Sequence, residues 1–179
     1  MISFSILPLV LHLAAVTPTP TPSAEPDSSD VARIDTYDGT LSIVRIAPPD
    51  RPWVTRVRVG QTLVLADSNA RTLMLHTLTT WSRRRIALIE VVSGGNGCPS
   101  MYRLVEFAEG RPPRVSPEFG NCGDLPVVMM DGARLRVRFP GFYHTSQARQ
   151  PGFRPPPGAT WEYLGDGRVR QLPPPARPR

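Results

Sequence analysis

Residues 94–124 read GGNGCPSMYRLVEFAEGRPPRVSPEFGNCGD and hold the chain's only two cysteines, Cys98 and Cys122, near their ends. Inside this stretch Met101, Arg103, Val105 and Phe107 alternate with Tyr102, Leu104 and Glu106, which is the two-residue period of a β-strand. A turn-rich return follows the strand. Glycines at 94, 95, 97, 120 and 123 surround the cysteines. Glycine takes positive φ without steric cost, so this spacing suggests tight bends pinned by a crosslink. Two cysteines in a chain with an export-like start read as one disulfide, because thiols stay unpaired mainly in reducing compartments. Closing a loop of this size contributes about 3 kcal/mol, mostly by restricting the unfolded chain. The alternatives are two buried free thiols or a metal pair, and the second lacks a His or a third Cys at ligand spacing.

Outward from this stretch the signals are nearly all β. Thr40–Ile46, Val54–Val59, Thr62–Ala66, Thr72–Thr79 and Ile86–Val92 are short runs rich in β-branched residues. Turn-forming residues separate them: Gly60-Gln61, the run Asp67-Ser68-Asn69-Ala70, and Trp81 to Arg85. Beyond Cys122, Leu125–Met130 and Arg134–Phe139 flank Asp131-Gly132, while Trp161–Leu164 and Arg168–Leu172 flank Asp166-Gly167, two strong hairpin signals. No helical stripe of ten or more residues occurs between 31 and 172. The expected fold is all-β: a single antiparallel sandwich or barrel-like domain of about ten short strands with one disulfide, or a small incomplete propeller-like assembly of sheets.

Gly94, Gly95, Cys98, Pro99, Tyr102 and Arg103, followed by Glu118, Phe119, Gly120, Cys122 and Asp124, resemble a pattern in small uncharacterised exported proteins of Gram-negative bacteria. The resemblance covers about residues 54–140 and joins two motifs across a fixed gap. It implies an exported β-domain. It brings no activity with it and therefore implies no catalytic residue.

A length of 179 residues suits one domain with a sizeable core. Residues 2–16 form an uncharged apolar stretch, too short for the roughly 20 residues of a membrane span and fitting the core of a secretory signal, although no positive residue precedes it. Residues 1–24 are thus expected to be a signal peptide with a Pro/Thr-rich linker, 31–172 the β-domain, and 173–179 a disordered Pro/Arg tail. Export to the periplasm or beyond follows, with no membrane span after processing. The 22 prolines are concentrated at 18–26, 48–52, 112–117, 140–157 and 173–178, which are expected to break strands. Lysine is absent, and all 21 basic residues are arginine. Removing the signal takes away no charged side chain, so the net charge stays at +6.

Catalytic signatures are missing. There is no Gly-x-Ser-x-Gly turn, no phosphate-binding glycine loop and no His-Glu-x-x-His motif, and the mature chain holds only His76 and His144. His76 shares a predicted strand face with Met74 and Leu78 and reads as a hydrogen-bonded sheet residue. Glu118 and Asp124 flank Cys122 and, held together, would suit paired acid and base work on a glycan; the competing reading has Glu118 pairing with an arginine and Asp124 capping a turn.

Arginines carry more pattern. Arg134, Arg136 and Arg138 alternate with Leu135, Val137 and Phe139, which puts three guanidinium groups on one strand face. Arg56 and Arg58 repeat the arrangement, and Arg83, Arg84 and Arg85 crowd a hairpin end. Such rows bind phosphates, sulfates and carboxylates, or else solvate an exposed strand and block edge aggregation. The connection from Pro140 to Ala159 lacks a strand pattern and offers Phe142, Tyr143, His144, Phe153 and Arg154 for contact with a partner, or as a lid over the sheet. The expected function is an exported, non-catalytic binding or accessory protein of an envelope component, such as an anionic polymer or an acidic protein surface, with no cofactor and no metal. An inhibitor or immunity-type protein and a carboxylate-dependent glycan or peptide hydrolase are the alternatives.

Overall fold

A computed structural model of the chain describes residues 28–36, 39–47, 53–67, 72–93, 97–123 and 126–174. The expected signal and linker at 1–24, the tail from 175, Gly94, Gly95, Asp124 and the connection at 68–71 lie outside these residues.

Three antiparallel meanders follow one another along the chain. The first contains β1 (Ser28–Thr36), β2 (Gly39–Ile46), β3 (Val54–Val59) and β4 (Thr62–Asp67). The second contains β5 (Thr72–Trp81), β6 (Arg84–Val92), β7 (Ser100–Ala108) and β8 (Arg111–Val115), with β9 (Phe119–Cys122) also pairing to β7. The third contains β10 (Val127–Asp131), β11 (Arg134–Phe139), β12 (Ala159–Gly165) and β13 (Arg168–Gln171), with a four-residue helix, α1 (Thr145–Ala148), in the connection between β11 and β12. Apart from β9, which returns to β7, the strands pair in chain order within their sheets, and none of the three sheets closes into a barrel among the described residues.

The second sheet is the middle layer. Ala87, Ile89 and Val91 of β6, with Val105 and Phe107 of β7, are buried against Leu41, Ile43 and Val57 of the first sheet. Ile86 and Leu88, with Tyr102 and Leu104, are buried against Leu135, Val137, Phe139 and Tyr163 of the third. Strands buried on both faces read as nearly continuous apolar runs, which is what Ile86–Val92 presents. The outer strands alternate instead: β11 buries Leu135, Val137 and Phe139 and turns its arginines outward. Charge on the two outer faces ends the stack at three layers.

Several sequence expectations need correction. Thirteen strands are present among the described residues against the expected ten or so, the additions being β1, β8 and β9. β1 starts at Ser28, before the expected domain boundary, and half-buries alternate residues from Ala32 onward despite an acid-rich sequence; pairing with β2 outweighs its weak β-propensity. Pro112 and Pro113 do not break the chain but lie inside β8, an edge strand, at a register shift in its pairing with β7. Pro117 lies where the edge is interrupted. There the Ser116 hydroxyl accepts the Leu104 N–H at 2.9 Å before β9 resumes pairing with β7. The third-sheet hairpin turns at Gly132-Ala133, not Asp131-Gly132, because Asp131 pairs with Arg134.

His76 does not share a face with both Met74 and Leu78. It is the unpaired residue of a β-bulge between Leu75 and Thr77, and the extra residue changes the strand's parity. Leu73, Leu75 and Leu78 all pack toward the first sheet as a result. The His76 ring sits edge-on to Tyr102 at 6.0 Å, with Nε2 3.2 Å from the carbonyl of Pro126, just before β10.

Candidate functional site

The outer face of the third sheet gathers the predicted arginine row. Cross-strand pairing aligns Met129, Arg136, Glu162 and Arg170 in one rung, Asp131 and Arg134 in a second, and Val127, Arg138 and Thr160 in a third. Glu162 is the hub. Arg170 donates to its Oε2 at 2.5 Å, while Arg134 Nε and Arg136 Nε lie 3.8 and 3.9 Å from Oε1. Arg136 also pairs with Asp131 at 2.8 Å. The Arg170 hydrogen bond, reinforced by the charges of Arg170, Arg134 and Arg136, holds the Glu162 carboxyl below the usual glutamate range against the opposing effect of burial. Arg138 is exposed and has no carboxylate partner among the described residues. The row is therefore a graded surface: Arg136 is neutralised and a quarter exposed, Arg134 is two-thirds exposed, and Arg138 is free to meet an anion.

Arg83, Arg84 and Arg85 separate on folding. Ser82 and Arg83 form the two-residue turn between β5 and β6, both with left-handed backbone at φ 48° and 62°, the twist-matched hairpin geometry usually given to Asn and Gly. Arg85 reaches the Thr80 hydroxyl at 2.7 Å. Arg84 turns inward and donates to Glu106 Oε1 at 2.5 Å, with Asp166 3.6 Å away.

Glu106 is 6% exposed and accepts from three donors in two layers. Arg84 occupies one oxygen; the Tyr163 hydroxyl donates to the other, which also accepts the Asp166 N–H at 3.2 Å. The Tyr163 oxygen in turn accepts the Gly167 N–H at 3.1 Å. Burial, aided by the bond to Glu106, pushes the Tyr163 phenol well above the ordinary tyrosine value. A carboxylate so fully surrounded by donors acts as a clamp between the middle and third sheets. Trp81 Nε1 adds a second tie by donating to the Ala133 carbonyl at 2.8 Å.

The connection between β11 and β12 folds on itself as a long loop. Its base is held by the Asn121 amide, which donates to the Pro140 carbonyl at 2.6 Å. Any Cβ at Gly141 would lie 1.8 Å from the Pro156 oxygen, so the two limbs meet where only glycine fits. Tyr143 packs at a tilt against Phe153 at 4.9 Å, Phe142 edge-on to His144 at 5.3 Å, and His144 N–H donates to Gln147 Oε1 at 2.8 Å. These aromatic residues belong to neither core, and Arg154 is exposed.

Cys98 and Cys122 form a disulfide with Cα atoms 4.7 Å apart, fastening the end of β9 beside the start of β7. Glu118 pairs with Arg103 at 3.0 Å. Among the described residues no three His, Cys, Asp or Glu side chains converge as metal ligands. Glu106, Tyr163 and Arg111–Arg114 were not singled out from sequence as site residues. The available signal was Glu106 itself, a charge on the same strand face as Tyr102 and Leu104. Comparison with family models, curated proteins and solved structures finds no match for the chain.

Proposed function

We propose that the protein is an exported, non-catalytic binding or accessory module that recognises an anionic envelope component through the outer face of its third sheet. The observation that carries this reading is the unequal neutralisation of the arginine row. Arg138 and most of Arg134 remain available to solvent, while Glu162 and Asp131 hold Arg136 in place. Guanidinium groups on alternate residues of one strand stand about 6–7 Å apart, a spacing that matches successive charges on a polyanion or an acidic protein surface. The disulfide supports an oxidising compartment, periplasmic or extracellular, and the resemblance to small exported proteins points the same way.

The test is a salt titration of binding to an anionic polymer or acidic protein from envelope extract. Association is expected to weaken between low and physiological ionic strength, where screening acts over about 8–10 Å, and to be lost in the Arg134→Gln, Arg136→Gln, Arg138→Gln triple variant. Capture that ignores both salt and the triple variant overturns the proposal.

A second reading, an inhibitor or immunity-type protein, draws support from the self-closed loop and its Tyr143–Phe153 pair, which are suited to insertion into a partner's cleft. The hydrolase alternative gains no such support. Glu118 is engaged by Arg103, and Glu106 and Glu162 are saturated by donors.

A further inference from the structure

A second arginine cluster lies at the hairpin end of the stack, away from the row on the third sheet. β8 begins Arg111-Pro112-Pro113-Arg114, and β7 places Glu106 opposite Arg114 and Ala108 opposite Arg111. Between this strand and the Asp166-Gly167 turn is a cavity of about 140 Å3, lined by Glu106, Phe107, Ala108, Arg111, Pro112, Arg114 and Asp166. A turn packed on β8 forms one wall, where a Cβ on Gly167 would lie 2.8 Å from the Val115 carbonyl. That volume holds several waters or one small polyatomic ion and falls short of the roughly 300 Å3 at which drug-sized organic ligands begin.

The charges in the cavity are unequally satisfied. Glu106 is bound by Arg84, Tyr163 and the Asp166 amide, and the Asp166 carboxylate faces the same Arg84 at 3.6 Å. Arg84 thus serves both acids. The side chains of Arg111 and Arg114 make no hydrogen bond or ion pair among the described residues, although both line the cavity. Two solvent-exposed guanidinium groups without a carboxylate partner among the described residues, at the wall of a small polar cavity in which the neighbouring carboxylates are already engaged, form a receptor for an anion with several oxygens. An adjoining depression of about 340 Å3, lined by Ser82, Arg83, Arg84, Ala108, Glu109 and Arg111, leaves the mouth wide enough for a substituent on that anion. Pro112 and Pro113 between the two arginines, at a register shift in the pairing with β7, interrupt the regular strand edge, so an added β-strand has poor purchase there and small-anion binding is the better fit.

We infer that Arg111 and Arg114 bind a tetrahedral oxyanion, phosphate or a phosphomonoester, in the cavity between β8 and the β12–β13 turn. The site is independent of the third-sheet row, and a test can separate the two. Calorimetric titration of the full oxidised protein at low salt uses inorganic phosphate and glycerol phosphate, with sodium chloride at equal ionic strength as the control. Saturable one-to-one binding of either phosphate is expected, and the tighter of the two shows whether the free anion or the ester is preferred. The Arg111→Gln, Arg114→Gln variant should bind at least tenfold more weakly with an unchanged melting temperature in the absence of phosphate, because both side chains are exposed. The Arg134→Gln, Arg136→Gln, Arg138→Gln variant should retain phosphate binding. No saturable binding beyond the chloride control, or equal binding by the Arg111/Arg114 variant, overturns the inference. Should that double variant fold poorly, Arg111→Lys and Arg114→Lys provide the check: a monodentate ammonium keeps the charge but must still weaken phosphate binding.

Discussion

The Tyr163 hydroxyl of β12 donates its proton to the buried carboxylate of Glu106 on β7, joining the third sheet to the middle one across 57 residues of sequence. Tyr163→Phe removes that donor and also leaves the Gly167 N–H without its acceptor. A loss of about 1–3 kcal/mol is expected in denaturant unfolding, the usual cost of leaving a buried polar group unsatisfied. Glu106→Ala should cost about 2–4 kcal/mol, somewhat under a fully buried pair, since Arg84 is about a quarter exposed and regains some water. Equal stability of wild type and both variants would remove the clamp from the account of the fold.

The same tyrosine sets the alkaline limit. Its pKa is raised in the folded protein, so the unfolded chain ionises first, near the ordinary value of 10.0. The stabilisation from the protonated phenol is complete below about pH 10 and declines as pH rises beyond it. Melting temperature followed from pH 8 to 11 should fall more steeply for wild type than for Tyr163→Phe.

Glu162 behaves in the opposite sense. Its pKa is lowered in the folded protein, so its contribution is present above the ordinary value of 4.5 and is lost as pH falls below it. Glu162→Gln should flatten the acid side of the stability profile, with the difference from wild type shrinking at pH 3 relative to pH 7. A constant difference across that range would show that the arginine hub does not favour the ionised carboxylate.

Burial on both faces of β6 distinguishes three layers from two. Leu88 faces the third sheet and Ile89 the first, and each is about 1% exposed or less. Replacing either by Ala should destabilise the protein by about 2–5 kcal/mol. A two-layer sandwich would bury only one of two adjacent residues, so a large effect at one position and a negligible one at the other would refute the stacking.

Reduction of Cys98–Cys122, or replacement of both by Ser, should lower stability by about 2–4 kcal/mol, the usual range for one native disulfide. Protection from hydrogen exchange should fall first in β9, which depends on a short pairing with β7 and on this crosslink. An unchanged melting temperature under reductant would contradict that role.

Read without structure, the chain already determined its class and most of its strands. Period-two alternation at Val54–Val59 and Arg134–Phe139, and turn residues at Gly60 and Asp166-Gly167, are local signals governed by backbone sterics, and the structure keeps those boundaries and turns. The arginine row was legible for the same reason, since alternation alone assigns Arg134, Arg136 and Arg138 to one face. What the tertiary structure decided is everything that depends on a partner distant in sequence. β8 and β9 contain prolines or glycine and become strands only because β7 offers them an edge. The bulge at His76 switches the buried face of β5, a choice made by packing between layers rather than by propensity. Asp131 and Glu162 neutralise Arg136 but leave Arg138 exposed, because cross-strand register sets which charges meet. Arg84 and Arg85, adjacent in sequence, diverge to opposite sides of one strand, so only one of them reaches Glu106, an acid 22 residues away that folding brings to hydrogen-bond distance.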